Sequence, residues 1–245
     1  MLGCNQRVRD LLDFTSLTMQ IRCDIADVLT GLRPTARLML RPGPEAESCV
    51  RTVINGGMSV AVGRGVKWQP RQQVVGVVDW MGRGEGAGGT AEKFVVLYIA
   101  KNQVLADSSR AADETRDDAA FGQALGYPPC CVRFVDDRGV VPEHKDVFSL
   151  YAIDGHYDPL CWPGAMAIDQ SLLIHYPCSV SCVASRRLSE GRWNYIRQCG
   201  TSSVIELIRA AHALAYWLDS EGRVRAGTQV PEDAVAFATP SSGLN

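Results

Sequence analysis

The sequence predicts an α+β protein with a small mixed β-sheet in the N-terminal half and a mainly helical C-terminal half. Three observations carry that reading. Three short apolar runs, MSVAVG (58–63), QVVGVVDW (73–80) and KFVVLYIA (93–100), are bounded by glycine and polar residues, as strands are. Longer segments at either end, and one in the middle, repeat their apolar residues at helical spacing. The second half is also broken by prolines and holds two dense cysteine clusters, LGYPPCCVRFV (125–135) and HYPCSVSC (175–182).

Each element follows from local chemistry. Residues 5–30 carry Leu11, Leu12, Leu17, Ile21, Ile25, Val28 and Leu29 at helical spacing, and Gly31 and Pro34 end the helix. ARLML (36–40) is a strand candidate. Pro44 and Glu45 open a helix that Gly56 and Gly57 close. The three apolar runs then alternate with connections, one of them the glycine-rich MGRGEGAGGT (81–90). Its spacing fits neither a dinucleotide fingerprint nor a phosphate-binding loop, so it reads as a hairpin connection. Residues 103–126 read as one helix ending at Gly126. Residues 202–220 read as a final helix with one buried face, and the tail from 226 as loose. The organisation expected is a sheet region over 1–100, a helical cysteine-bearing region over 101–225 built onto it as one unit, and a tail over 226–245.

Composition narrows the function. Of 245 residues, 46% are hydrophobic, enough for a substantial core, and the formal net charge is −2, which argues against broad electrostatic binding to nucleic acid. No apolar run approaches the ~18–20 residues that span a bilayer. The first residues carry charges where a signal peptide has an apolar stretch, so a cytoplasmic location is expected. Nine cysteines in a reducing compartment point to metal or redox chemistry rather than structural disulfides.

The two clusters share a design. In HYPCSVSC, Pro177 suits the first turn of a helix. A helix starting there places Cys178 and Cys182 at i and i+4, only ~40° apart around the axis. Both thiols then face one way at an end that favours thiolate. His175 lies just before them, and Arg186 and Arg187 follow as candidate anion holders. In GYPPCC, Pro129 opens a helix, with Cys130 and Cys131 in its first turn. Successive residues diverge by ~100°, so one of the pair is expected to face a metal while the other packs or supports it. Two such helix ends facing each other gather three or four sulfurs. Three thiolates suit a [4Fe-4S] cluster with one iron open to substrate or to His175. The alternatives are a Cys₃His zinc site, a metal-free redox pair of Cys178 and Cys182, and unrelated buried thiols.

Other candidates are weaker. Cys4, Cys23, Cys49, Cys161 and Cys199 stand alone and read as small buried hydrophobes, with Cys161 nearest the second cluster. His156, in DGHYDP, reads as part of an Asx-type turn more readily than as a general base or part of a second metal site. His144 is expected to be solvated and His212 packed. Tyr127, Tyr176, Trp162 and Trp193 flank the cysteine segments and are candidate walls for a substrate pocket.

LGYPPCCVRF followed by IHYPCSVSCVAS resembles a family of uncharacterised prokaryotic domains, with an LGYPxCC signature and then an H-[FY]-PCSxxCxxS segment. The resemblance covers residues 95–195. It singles out Cys130, Cys131, His175, Cys178, Cys182 and Ser185, and implies a site without implying a reaction. In chemistry alone, adjacent cysteines are similar to enzymes that hold a three-cysteine [4Fe-4S] cluster for desulfuration or reduction of nucleobases.

The expectation is thus a metal-dependent enzyme with a [4Fe-4S] centre acting on a small-molecule substrate by sulfur, redox or Lewis-acid chemistry, with a redox partner where electrons are needed. Cys130, Cys131, Cys178 and Cys182 are the ligand candidates. His175 is a ligand or acid/base group, and Ser185 and Arg186 are the other catalytic candidates. A zinc-stabilised binding module and a metal-free thiol transferase are the alternatives.

Overall fold

The computed structural model describes residues 6–12, 14, 17–64, 66–68, 92–137, 155–162, 171–218, 224–229, 232, 236–241 and 244. The expected strand at 73–80, the glycine-rich loop at 81–90 and His144 lie outside these residues. The α+β class holds.

The predicted helix over 5–30 is two helices, α1 (Gln6–Leu12) and α2 (Met19–Thr30). The break is a new start: the Thr18 hydroxyl accepts the Ile21 N–H, 3.4 Å away, as an N-cap. Gly31 then ends α2 with φ at 77°, a left-handed conformation that glycine adopts without steric cost. The sheet that follows is built on β4 (Glu92–Ala100). β1 (Thr35–Leu40) and β2 (Ser59–Val62) flank it, β3 (Val66–Trp68) pairs with its beginning, and every pairing is antiparallel. Leu38 stands opposite Leu97, and Val60 opposite Ile99.

Strand alternation sends side chains to two covered faces. Ala36, Leu38, Leu40, Leu97 and Ile99 enter the main core with α1, α2 and α3 (Pro44–Asn55). Ala61, Val96, Tyr98 and Ala100 face α4 (Gln103–Glu114), whose Ala106 packs onto them. The main core also takes Leu172, Trp193, Ile196 and Ile208 from the second half, so the two halves share one apolar interior.

The helix expected over 103–126 is divided into α4 and α5 (Asp118–Ala124). Arg116 takes a positive φ of 60°, and Asp117 recaps the chain by accepting the Ala120 N–H at 2.9 Å. α6 (Pro129–Asp136) starts at the second proline, as the sequence predicts. After β5 (Gly155–Tyr157) come α7 (Val183–Cys199) and α8 (Ser202–His212).

Two further expectations are corrected. The last helix stops at His212, and the aromatic run that follows forms β6 (Ala215–Leu218). The tail is not uniformly loose: β7 (Val224–Gly227) and β8 (Ala236–Pro240) join β5 and β6 in a second sheet of order β5-β8-β6-β7. β5 and β8 run parallel and the other pairs antiparallel. Among the described residues no helix is long and apolar enough to cross a membrane.

Candidate metal centre

The first ligand segment is set by Gly126, Pro128 and Pro129. Gly126 has φ at 77°, and a Cβ there would stand 2.5 Å from Cδ of Pro34, so this turn accepts glycine alone. Pro128 holds the extended conformation of an N-cap, and α6 begins with Cys130 and Cys131 in its first turn.

The second segment differs from expectation. Residues 171–182 form turns, no helix starts at Pro177, and α7 begins only at Val183, with Cys182 as its N-cap. Cys178 therefore belongs to a loop and Cys182 to a helix start. The loop shape is held from behind by His212. Its Nδ1 lies 2.9 Å from the Pro159 carbonyl and its Nε2 accepts the Leu172 N–H at 3.4 Å, so it is the packed histidine the sequence suggests.

These segments bring four sulfurs together. Those of Cys130, Cys131, Cys178 and Cys182 all lie within 4.8 Å of one another. Cys130 to Cys131 and Cys130 to Cys182 are each 3.8 Å, and Cys131 to Cys182 is 3.7 Å. The expectation that only one of the adjacent cysteines faces the site is thus corrected. The ~100° step separates side chains around a helix barrel. Side chains of a helix tilt toward its N-terminus, so two successive ones in the first turn can reach past the helix end to one point.

A second layer surrounds the sulfurs. The Cys131 sulfur accepts the Cys178 N–H at 3.3 Å and lies 3.2 Å from the Ser185 hydroxyl. Ser185 Oγ is in turn 2.8 Å from Nε2 of His175. His175 is buried, stacks on Tyr127 with ring centroids 5.0 Å apart, and leaves Nδ1 without a partner among the described residues. Burial, with the nearby charges of Arg33 and Arg192, pushes its pKa down to about 3, so the ring is neutral. His175 is therefore placed behind the sulfurs, through Ser185.

In the metal-free protein the thiols of Cys131, Cys178 and Cys182 are electrostatically unequal. Burial raises Cys131 above the usual thiol range, against the pull of Ser185 and the Cys178 N–H. Burial also acts on Cys182, but the Ser185 hydroxyl and N–H, with Cys178 and Cys131, outweigh it and bring the pKa down to about 6. Burial and the neighbouring sulfurs of Cys182 and Cys130 lift Cys178 to about 11. The site thus favours the thiolate most at Cys182, and a bound cation would displace the protons of Cys131 and Cys178.

The remaining candidates fall outside this group. Arg186 is solvent-exposed and pairs with Asp158 at 3.4 Å and Glu190 at 2.9 Å, and Arg187 is exposed beside it. Asp158 accepts the Leu160 N–H at 2.9 Å in an Asx turn, and His156 Nδ1 meets Thr239 Oγ1 at 2.9 Å. The buried Cys161 thiol donates to the Cys182 carbonyl at 3.4 Å and is not one of the four clustered sulfurs. Cys199 is in a disulfide, which corrects its reading as an isolated thiol. Of the aromatic candidates, Tyr127 stacks on His175, Trp162 stacks on Tyr157, and Trp193 belongs to the main core.

Sequence reasoning missed the network that anchors α7. Arg192 bonds Asp24 at 2.8 Å, both carboxylate oxygens of Asp27, and the Ser171 carbonyl at 3.2 Å. Arg33 lies 3.5 Å from Asp24, and the Tyr195 hydroxyl donates to Asp27 at 2.8 Å. All five side chains are buried. The available signal was Asp24 and Asp27 on the apolar stripe of α2, between Ile21, Ile25 and Val28.

No protein-family model matches the chain, and neither a curated protein nor a solved structure matches it. The site defines a cysteine-rich centre able to hold a metal ion.

Proposed function

We propose that the chain is a zinc-binding protein, and that Cys130, Cys131, Cys178 and Cys182 hold one zinc ion as a four-thiolate centre. The sulfur spacing carries this reading. A tetrahedron with Zn–S bonds of ~2.3 Å has edges of ~3.8 Å, and three of the six sulfur separations are 3.7–3.8 Å. A [4Fe-4S] cluster interposes four irons and four sulfides between its cysteines and needs them spread well beyond mutual contact. The spacing therefore favours the zinc alternative over the iron–sulfur centre that the sequence favours.

A filled tetrahedron leaves no open metal position, and such sites stabilise folds. Here the ion would tie the start of α6 to the start of α7, closing a chain segment whose ends, Cys131 and Cys178, are 47 positions apart. Folding and metal binding would be coupled. The small-molecule enzyme that the sequence favours requires an open coordination site or a reactive thiolate, so we place the stabilising role first.

The test is elemental analysis with an absorption spectrum on protein purified without air, beside Cys131→Ser and Cys182→Ser. One zinc per chain with no visible absorption, lost in both variants, is the expected result. Iron and sulfide in equal amounts with a brown chromophore would replace the zinc reading with the cluster. No metal in any preparation, even after reconstitution, would leave a thiol protein.

A further inference from the structure

The four sulfurs are not equivalent, and the difference divides them into an inner and an outer pair. Cys131 and Cys182 are 2% and 6% exposed, whereas Cys130 and Cys178 are partly open to solvent. The sulfur of Cys131 is also held by hydrogen-bond donors: it meets the Cys178 N–H at 3.3 Å and the Ser185 hydroxyl at 3.2 Å. Among the described residues, the sulfurs of Cys130 and Cys178 have only other sulfurs as polar neighbours.

That pattern has a chemical meaning. A metal keeps a thiolate deprotonated at neutral pH, and the thiolate is the nucleophile. A hydrogen bond to sulfur draws on the same electron pairs that would attack an electrophile and makes that sulfur a poorer nucleophile. Burial blocks approach as well. Cys131 is thus shielded twice and Cys182 by burial, whereas the outer pair is only partly buried and has no N–H or O–H donor on sulfur among the described residues.

We propose that, in the zinc-loaded protein, Cys130 and Cys178 are a nucleophilic acceptor site for small, unhindered alkyl electrophiles. This rests on the zinc reading and extends it from a staple to a reactive centre. In the step, a sulfur lone pair of one outer thiolate attacks the electrophilic carbon. The S–C bond forms as the bond from carbon to its leaving group breaks, and the leaving group departs with that electron pair. No proton moves and no external electron is needed. The product is a thioether, uncharged at sulfur, with the inner pair still on the ion.

The probe is methyl iodide on zinc-loaded protein, with zinc content measured on the same sample and methylated cysteines mapped by peptide mass spectrometry over time. Cys130 or Cys178 is expected to be methylated about tenfold faster than Cys131 and Cys182. Chelated, denatured chain supplies the reference in which all four react alike. Equal rates in the folded protein, an inner cysteine reacting first, or no methylation under conditions that modify the denatured chain would overturn the proposal. A sample without zinc would remove the zinc reading itself, which separates the two failures. In Ser185→Ala, Cys131 loses a donor and is expected to react severalfold faster while Cys130 is unchanged; Ser185→Thr is expected to restore the wild-type order.

Discussion

Ser185 Oγ stands 2.8 Å from Nε2 of the buried His175 and 3.2 Å from the Cys131 sulfur, so one hydroxyl joins an imidazole to the thiol group. Since a metal-bound thiolate carries no proton, Ser185 would donate to sulfur and accept from Nε2–H. Partners of this kind tune metal affinity by ~10–100-fold. Ser185→Ala is therefore expected to weaken zinc binding by about that factor, read by competition with a chelator of known affinity. An unchanged affinity would make the contact packing alone.

Cys161 and Cys131 are both buried thiols beside Cys182, but they meet different atoms of it. Cys161 donates to its carbonyl, whereas Cys131 faces its sulfur. Cys161→Ser is expected to keep one zinc per chain and Cys131→Ser to keep none. Metal loss from Cys161→Ser would place that residue in the centre.

His175 supplies a pH dependence with a definite sign. Its pKa is about 3 in the folded protein because burial, Arg33 and Arg192 disfavour the cation, and ~6.5 unfolded. A depressed pKa contributes stability that is fully present above ~6.5 and is lost as pH falls toward the folded value, at up to ~1.4 kcal/mol per pH unit. Urea unfolding at pH 7, 6 and 5 should show a steeper loss for wild type than for His175→Gln. Ligand protonation is common to both proteins, so equal slopes would mean that the imidazole is solvated.

Arg192 is the buried cation shared by Asp24 and Asp27. Arg192→Leu leaves Arg33 alone to compensate two buried carboxylates. Removing one partner from such a group typically costs ~3–5 kcal/mol. Equilibrium unfolding should register that loss, and zinc affinity should fall with it because α7 carries Cys182. A loss below ~1 kcal/mol would show that water takes the place of the guanidinium.

What the sequence disclosed, and what it hid, divides by range. The prolines of GYPPCC predict the start of α6, since their effect on φ and on the preceding residue is local. Both cysteine clusters were likewise legible, as was the packed role of His212. The convergence of Cys130 and Cys131 on one point was not. Helical angles describe a helix interior, and these residues sit at an uncapped end. The start of α7 was misread because Pro177 is as acceptable in a turn as in a first helical turn. The pairing of Arg192 with Asp27, 165 positions away, leaves no local trace beyond acids on an apolar stripe. The second sheet was hidden for the same reason: LAYWL continues a helical pattern until a distant strand claims it.

β8 lies between β5 and β6, with Thr239 opposite His156 and Phe237 opposite Trp217. Within the ladder, β5 and β6 are therefore joined through residues 236–240. During synthesis, β5 and β6 are both made before the strand that joins them, so this sheet cannot be completed until residues 236–240 have been added. Long-range pairing of this kind is slow relative to local helix formation. The metal-ligand segments are all complete by Cys182, so the centre can close while the sheet beside it is still waiting for its central strand.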